Sequence, residues 1–269
     1  MGIINITPDS FSHDGCIRPH SNFTDKAVLL ARRLIKEGAE IIDIGGESSR
    51  PGSKRISDQT EIKRVIPAIK KLARRLKVPI SVDTYKATVA QHALDAGASI
   101  INNIKGVQSE KALLKMVRNY GACIVLMHMK GTPRTMQKRV HYSDLMNEIF
   151  ASLQKSIENC LEFGIKSDRI IIDPGIGFGK TLENNLEIID RLDELKALNQ
   201  PILIGTSRKS FIGKTLQKDV DKRLMGSVAT VCASILKGVH IVRVHDVKQM
   251  LDIVKMSDAI INHSALKKE

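Results

Sequence analysis

The sequence of 269 residues has no tryptophan, and aromatic residues make up only 3% of it. Hydrophobic residues still amount to 42%, so the core must be aliphatic, built from Ile, Leu, Val and Ala. The shortage of aromatics removes the stacking platforms on which single-strand nucleic-acid readers depend. No stretch approaches the run of roughly 18 apolar residues that a membrane span needs. The chain opens Met1-Gly2-Ile3-Ile4-Asn5, without a basic segment ahead of an apolar one, so no signal peptide is expected. Its cysteines, Cys16, Cys123, Cys160 and Cys232, are too far apart for a metal or redox spacing. They read as free thiols in a reducing cytoplasm.

Charge is plentiful, with a formal net value of +13. Such an excess suits nucleic acid, a membrane surface or anionic metabolites. The densest cluster, Lys63 to Lys77, is interleaved with Ile62, Val65, Ile66, Ile69, Leu72 and Leu76 at helical spacing, which makes it a solvated helix face.

Short runs rich in Ile and Val alternate with longer amphipathic stretches. Strands are expected near 2–6, 39–44, 78–83, 98–103, 121–127, 169–173, 201–206 and 239–243. A helix breaker stands at or before seven of them: Gly38, Pro79, Gly97, Gly121, Gly164, Pro201 or Gly238. Thr24 and Ser109 are candidate helix caps, and Pro67 should kink its helix or mark where it begins. Alternating strands and helices imply a parallel sheet with right-handed crossovers. An open doubly wound sheet would show the same alternation, but eight strands favour a closed (β/α)₈ barrel, which needs roughly 250 residues. The expected organisation is one domain over residues 1–269.

Polar residues end almost every strand on the C-terminal side: Asn5, Asp43, Asp83, Asn102 with Asn103, His128, Asp173, Ser207-Arg208-Lys209, and Arg243 with His245 and Asp246. Any one of them is as readily a cap or turn former. The series is not, because in a (β/α)₈ barrel this rim is the active-site face. Asp83 and Asp173, with Asn102 between them, suit a ring that displays N–C–N donor edges, since a carboxylate accepts two parallel hydrogen bonds. Lys209, Arg243 and His245 bring positive charge to the loops where barrels commonly bind phosphate. Asn5 and Asp9 offer oxygens to Mg²⁺ shared with substrate phosphates. Glycine-rich turns follow strands two and six, at Gly45–Gly52 and Pro174–Lys180, and allow close backbone approach to a ligand. Met127, Met129 and Met136 flank His128 and read first as core packing, with a ligand-pocket wall as the alternative.

The segments Met1–Phe11, Asp43–Gly52, Ser81–Thr84, His128–Gln137, Asp173–Lys180, Ser207–Phe211 and Arg243–Asp246 together resemble the dihydropteroate synthase signature, in order and over nearly the whole chain. The resemblance implies Mg²⁺-dependent condensation of a pterin pyrophosphate with p-aminobenzoate by a cytoplasmic homodimer. It assigns the pterin to Asp83, Asn102, Asp173 and Lys209, with Asp83, Asp173 and Lys209 catalytic. It gives pyrophosphate to Asn5, Arg243 and His245, and the metal to Asn5. Phe11, Ser49, Arg50, Pro51, Phe178 and Ser210 would form the p-aminobenzoate pocket. The chain departs from the family pattern in three places. Asn102-Asn103 stands for Asn-Asp, Ser49 stands for Thr, and the sequence begins within the first strand. A pterin-dependent methyltransferase, which needs a cobalamin partner, and a non-catalytic pteridine-binding homologue remain alternatives, as does charge-driven nucleic-acid binding.

Overall fold

The computed structural model describes residues 1–7, 23–50, 52–106, 111–137 and 140–263. Eight strands are found among them: β1 (Gly2–Asn5), β2 (Ile42–Gly45), β3 (Ile80–Asp83), β4 (Ile100–Asn103), β5 (Cys123–Met127), β6 (Ile170–Asp173), β7 (Leu203–Ile204) and β8 (Ile241–Val242). The helices between them are α1 (Phe23–Lys36), α2 (Asp58–Ala73), α3 (Ala87–Asp95), α4 (Lys111–Tyr120), α5 (Leu145–Glu162), α6 (Leu182–Asp190), α7 (Ser210–Leu216), α8 (Leu224–Leu236) and α9 (Val247–Ile261).

Strands β1 to β6 form one continuous parallel ladder, and β7 pairs with β8 in a second. Parallel bridges at Ile172–Ile202 and Gly2–Val244 join the two. The Ile172 N–H donates to the Pro201 carbonyl at 2.9 Å, and the Ile3 N–H donates to the Val244 carbonyl at 3.1 Å. The sheet therefore closes on itself, which settles the choice between barrel and open sheet.

Four expectations need correction. Strand β2 starts at Ile42 rather than Ala39, because the Ala39 N–H is still turned back onto the Leu34 carbonyl at 2.9 Å. Strands β7 and β8 are two residues each, and Pro201 at the entry to β7 has no N–H to add to a ladder. Helix α2 starts at Asp58, where the Ser57 hydroxyl accepts the Thr60 N–H at 3.2 Å, and contains Pro67, which therefore does not mark its beginning. Thr24 lies inside α1 rather than capping it. The expected cap at Ser109 lies outside the described residues.

Strand alternation sorts the side chains. Outward residues such as Ile4, Ile42, Ile44, Val82, Ile101, Ile124, Leu126 and Ile172 pack against the helices in the main core. Inward Ile100, Val125, Ile171 and Leu203 fill the lower barrel, with Met1, Ile41, Cys123 and Ile241 against them. Above this apolar floor most strands turn polar, at Asn5, Asp83, Asn102, Asp173 and Arg243.

Candidate active site

The site follows from register. Asn5 pairs with Gly45, Gly45 with Asp83 and Asp83 with Asn102, so four adjacent strands present one inward level. Gly45 leaves a gap in that level. A Cβ there would stand 3.4 Å from Asn5 Oδ1 and 3.5 Å from the Asp83 Cβ, so the two polar side chains converge over the glycine. Asp43 is inward two residues earlier on β2 and fully buried. Its Oδ2 accepts the Asn102 Nδ2–H at 3.2 Å and the Arg243 Nε–H at 2.7 Å. Arg243, just beyond β8, also donates from Nη2 to Asp83 Oδ2 at 3.0 Å. In the sequence Asp43 reads only as a strand end; the structure makes it the node joining two of the predicted residues, Asn102 and Arg243. Asp43 Oδ1 and Ser81 Oγ, register partners on β2 and β3, are buried without a hydrogen-bond partner among the described residues.

The opposite side of the mouth is basic. Asp173 ends β6, and its Oδ1 accepts the Gly175 N–H at 2.7 Å. Gly175 has φ +73°, and a Cβ there would collide with the His128 carbonyl. Only glycine lets the loop after β6 lie this close to the loop after β5. Lys209 precedes α7; its ammonium donates to the Ile176 carbonyl and sits 4.7 Å from the Phe178 ring centre. Lys180 is buried and donates to His128 Nδ1 at 3.0 Å and the Phe178 carbonyl at 3.1 Å. An ammonium can only donate, so His128 Nδ1 is the acceptor in a neutral ring.

The electrostatics follow. Burial first, then Asp43, pushes the Asp83 carboxyl up to about 7, although Arg243 opposes the shift. Burial raises Asp173 as well, against the pull of Lys209. Burial lowers Lys209 to about 8 and Lys180 to about 7, in both cases against Asp173. Burial, then Lys180 and Lys130, drives His128 down to about 2.

Of the other predicted residues, His245 lies beside β8, its Nδ1 3.1 Å from the Ser207 hydroxyl. Arg208, at φ +58°, forks onto Asp246, with Nε 3.0 Å from Oδ2. Ser49 is half-buried and Arg50 exposed on the loop after β2, and Ser210 is exposed at the start of α7. Phe11, Pro51 and Asp9 lie outside the described residues. Met127 and Met129 join Tyr85, Ile104 and Phe178 in a small cluster at the mouth, apart from the main core. They are an apolar wall of the site rather than core filling.

A closed barrel whose mouth gathers buried carboxylates, an amide and three cations over an apolar floor defines a class of enzyme that grips a polar heterocycle and an anion. The pterin binding enzyme family model matches residues 1–245. The dihydropteroate synthase of Bacillus subtilis is 45% identical over 262 residues, spanning 97% of this chain and 88% of that one. Among solved structures, Yersinia pestis dihydropteroate synthase in a sulfonamide drug complex superposes with a TM-score of 0.91 at 42% identity, covering 97% of this chain and 93% of that one. Clostridium difficile dihydropteroate synthase, solved in the presence of pteroic acid, superposes at 0.88 with 45% identity, covering 96% and 95%. The chain belongs to the pterin binding enzyme family and, within it, to the dihydropteroate synthases.

Proposed function

We propose that the barrel mouth condenses 6-hydroxymethyl-7,8-dihydropterin pyrophosphate with p-aminobenzoate, giving 7,8-dihydropteroate and pyrophosphate. The observation that carries this reading is the pairing of Asp83 with Asn102 on one inward level, with Asp173 one level higher at the end of β6 and Lys209 and Arg243 beside them. The carboxylates accept the N–H donors of the pterin's amino-pyrimidine edge. Asn102 and Lys209 hold its remaining polar edge, and Met127, Met129 and Phe178 offer apolar surface to its faces. Pyrophosphate lies toward Asn5, Arg243 and His245. Arg243 Nε and Nη2 are engaged by Asp43 and Asp83, which leaves Nη1 for a phosphate oxygen.

The C–O bond of the pterin methylene breaks as pyrophosphate takes the electron pair. The amine of p-aminobenzoate then attacks the resonance-stabilised methylene cation through its nitrogen lone pair and loses a proton. An aniline is neutral and nucleophilic near pH 7, so no strong base is needed. The protein supplies positioning and charge on both sides of the breaking bond. Ser49, Arg50, Phe178 and Ser210, with Phe11 and Pro51, form the p-aminobenzoate side.

Mg²⁺ fits the donors present. Asn5 Oδ1 and the Asp83 carboxyl converge over Gly45, and all are hard oxygens. No group of three or more His, Cys, Asp or Glu forms a self-sufficient metal site among the described residues. In this reading the ion is held by one amide oxygen, with Asn5 as its protein ligand, and by the substrate's phosphates. Mg²⁺ held there would supply positive charge against the departing pyrophosphate. Homodimer assembly and a cytoplasmic location belong to the same reading. Among the described residues no helix is long and apolar enough to cross a membrane. One domain carries the whole reaction.

The test is pyrophosphate release with both substrates, with and without Mg²⁺. Release that requires p-aminobenzoate and the metal is the expected result. Release or methyl transfer independent of p-aminobenzoate would overturn it.

A further inference from the structure

Three residues beyond Asp83, the chain buries an ammonium that the proposed chemistry does not use. Lys86 Nζ spends all three of its donors: on Glu47 Oε2 at 2.5 Å, Glu61 Oε2 at 2.7 Å and the Ile56 carbonyl at 2.8 Å. Glu47 is itself saturated from two sides. Its Oε1 accepts the Tyr85 hydroxyl at 2.8 Å, and its Oε2 also accepts the Ile56 N–H at 3.1 Å. Helix α2 presses on the same point. A Cβ on Gly46 would fall 2.7 Å from Val65 and 2.9 Å from Glu61, and Arg64 Nη1 donates to the Gly46 carbonyl at 2.8 Å.

These bonds share one arrangement. The loop between β2 and α2 enters at Glu47 and leaves at Ile56, and both ends are tied to one ammonium. Ser49 and Arg50 lie between those ends. The ammonium is fixed to the end of β3, next to Asp83, and Tyr85 is both a partner of Glu47 and part of the apolar wall. A small cavity lined by Glu47, Ser48, Ser49, Glu61, Asp83, Thr84, Tyr85 and Ile104 joins the clamp to the mouth. Surface ion pairs contribute little, but removing one partner of a buried pair strands a charge. Fixing this loop through a buried pair therefore gives it a defined position relative to Asp83.

We infer that Lys86 is a positioning residue that, through Glu47 and Ile56, sets the β2–α2 loop over the p-aminobenzoate side of the mouth. The inference rests on the proposed reaction. It separates two roles that a purely structural lysine would not. Loosening the clamp raises KM for p-aminobenzoate and leaves pterin pyrophosphate binding intact, because Asp83, Asn102 and Asp173 sit on strands.

The experiment compares wild type with Lys86→Met and Glu47→Gln. Glu47→Gln keeps the shape of Glu47 and leaves one carboxylate, Glu61, for the ammonium, whereas Lys86→Met strands two carboxylates, so Glu47→Gln is the variant that reads the loop in a folded protein. In Glu47→Gln, KM for p-aminobenzoate is expected to rise about five-fold or more. kcat at saturating p-aminobenzoate, and calorimetric binding of pterin pyrophosphate alone, stay within about two-fold. Tryptic cleavage after Lys54 or Arg55 should also accelerate. An unchanged KM, or an equal loss in pterin binding, overturns the inference. If wild type forms no dihydropteroate, the reading of the site has failed instead. The proteolysis comparison then still decides whether the clamp holds the loop, and equal cleavage rates would overturn it.

Discussion

The two sides of the barrel mouth are built with opposite excesses of charge. Toward β2 and β3, four carboxylates (Asp43, Glu47, Glu61 and Asp83) meet two cations, Arg243 and Lys86. Toward β5, β6 and β7, a single carboxylate, Asp173, faces Lys180 and Lys209, with His128 neutral beside them. Each side is short of the opposite charge, but burial is the larger cause of the titration shifts on both. On the first side burial pushes Asp83 up to about 7 and raises Glu61, and on the second it pushes Lys209 down to about 8 and Lys180 to about 7. A substrate with a donor-rich ring and an anionic tail supplies what each side lacks. The mouth thus carries an uneven distribution of charge above an apolar floor.

The acidic side breaks most severely at Arg243. Arg243→Met strands Asp43, which is fully buried, and Asp83 together. Removing one partner of a buried ion pair costs about 3 kcal/mol or more, which thermal or urea unfolding will register as a large loss of stability. The basic side breaks at Lys209. Lys209→Ala should lower kcat/KM for pterin pyrophosphate at least about ten-fold, equivalent to about 1.4 kcal/mol. Unchanged steady-state kinetics would remove Lys209 from the site. Between these sides lies β4, whose two asparagines face opposite ways. Asn102 reaches Asp43 in the lumen, whereas Asn103, also buried, accepts the Lys105 N–H at 2.9 Å. Asn102→Ala should cost on the order of 2 kcal/mol in kcat/KM, while Asn103→Asp should change it less than about ten-fold. An inactive parent rescued by Asn103→Asp would contradict this division. The smallest effect is expected at Ser49. Ser49→Thr restores one methyl, worth about 1 kcal/mol at most, and should appear in KM for p-aminobenzoate.

The sequence made the architecture legible because breakers punctuate it. Glycine or proline marks the entry to strand after strand, and the polar residue that ends each strand points to one rim. It left β7 and β8 too long, because Ile and Val near Pro201 and Gly238 look like strand whether or not a ladder partner exists. Asp83, Asn102 and Asp173 were visible as strand ends of matching parity. The role of Asp43 was not. Whether an inward residue lies at the mouth or one level lower depends on register, and register comes from pairing rather than from the residue's own strand. Lys86 and Lys180 were harder still. Each long side chain folds back under a neighbouring loop, where sequence spacing carries no information about its partner. For Phe11 and Pro51, the expectation lies outside the described residues and stays with the motifs that raised it.

The central claim is that Asp83 grips the pterin as a carboxylate. The folded protein holds this proton to about 7, well above the ordinary value of 3.8. The group's contribution to stability is therefore fully present below about 3.8 and is lost as pH rises through about 7. Its capacity to accept pterin N–H donors runs the opposite way and increases over the same range. Calorimetric titration of pterin pyrophosphate into wild type and Asp83→Asn, repeated across neutral pH, tests this directly. The wild type should bind more tightly as pH rises through about 7, and Asp83→Asn should bind more weakly with that dependence lost. An Asp83→Asn variant that matches wild type in both affinity and pH dependence would contradict the account.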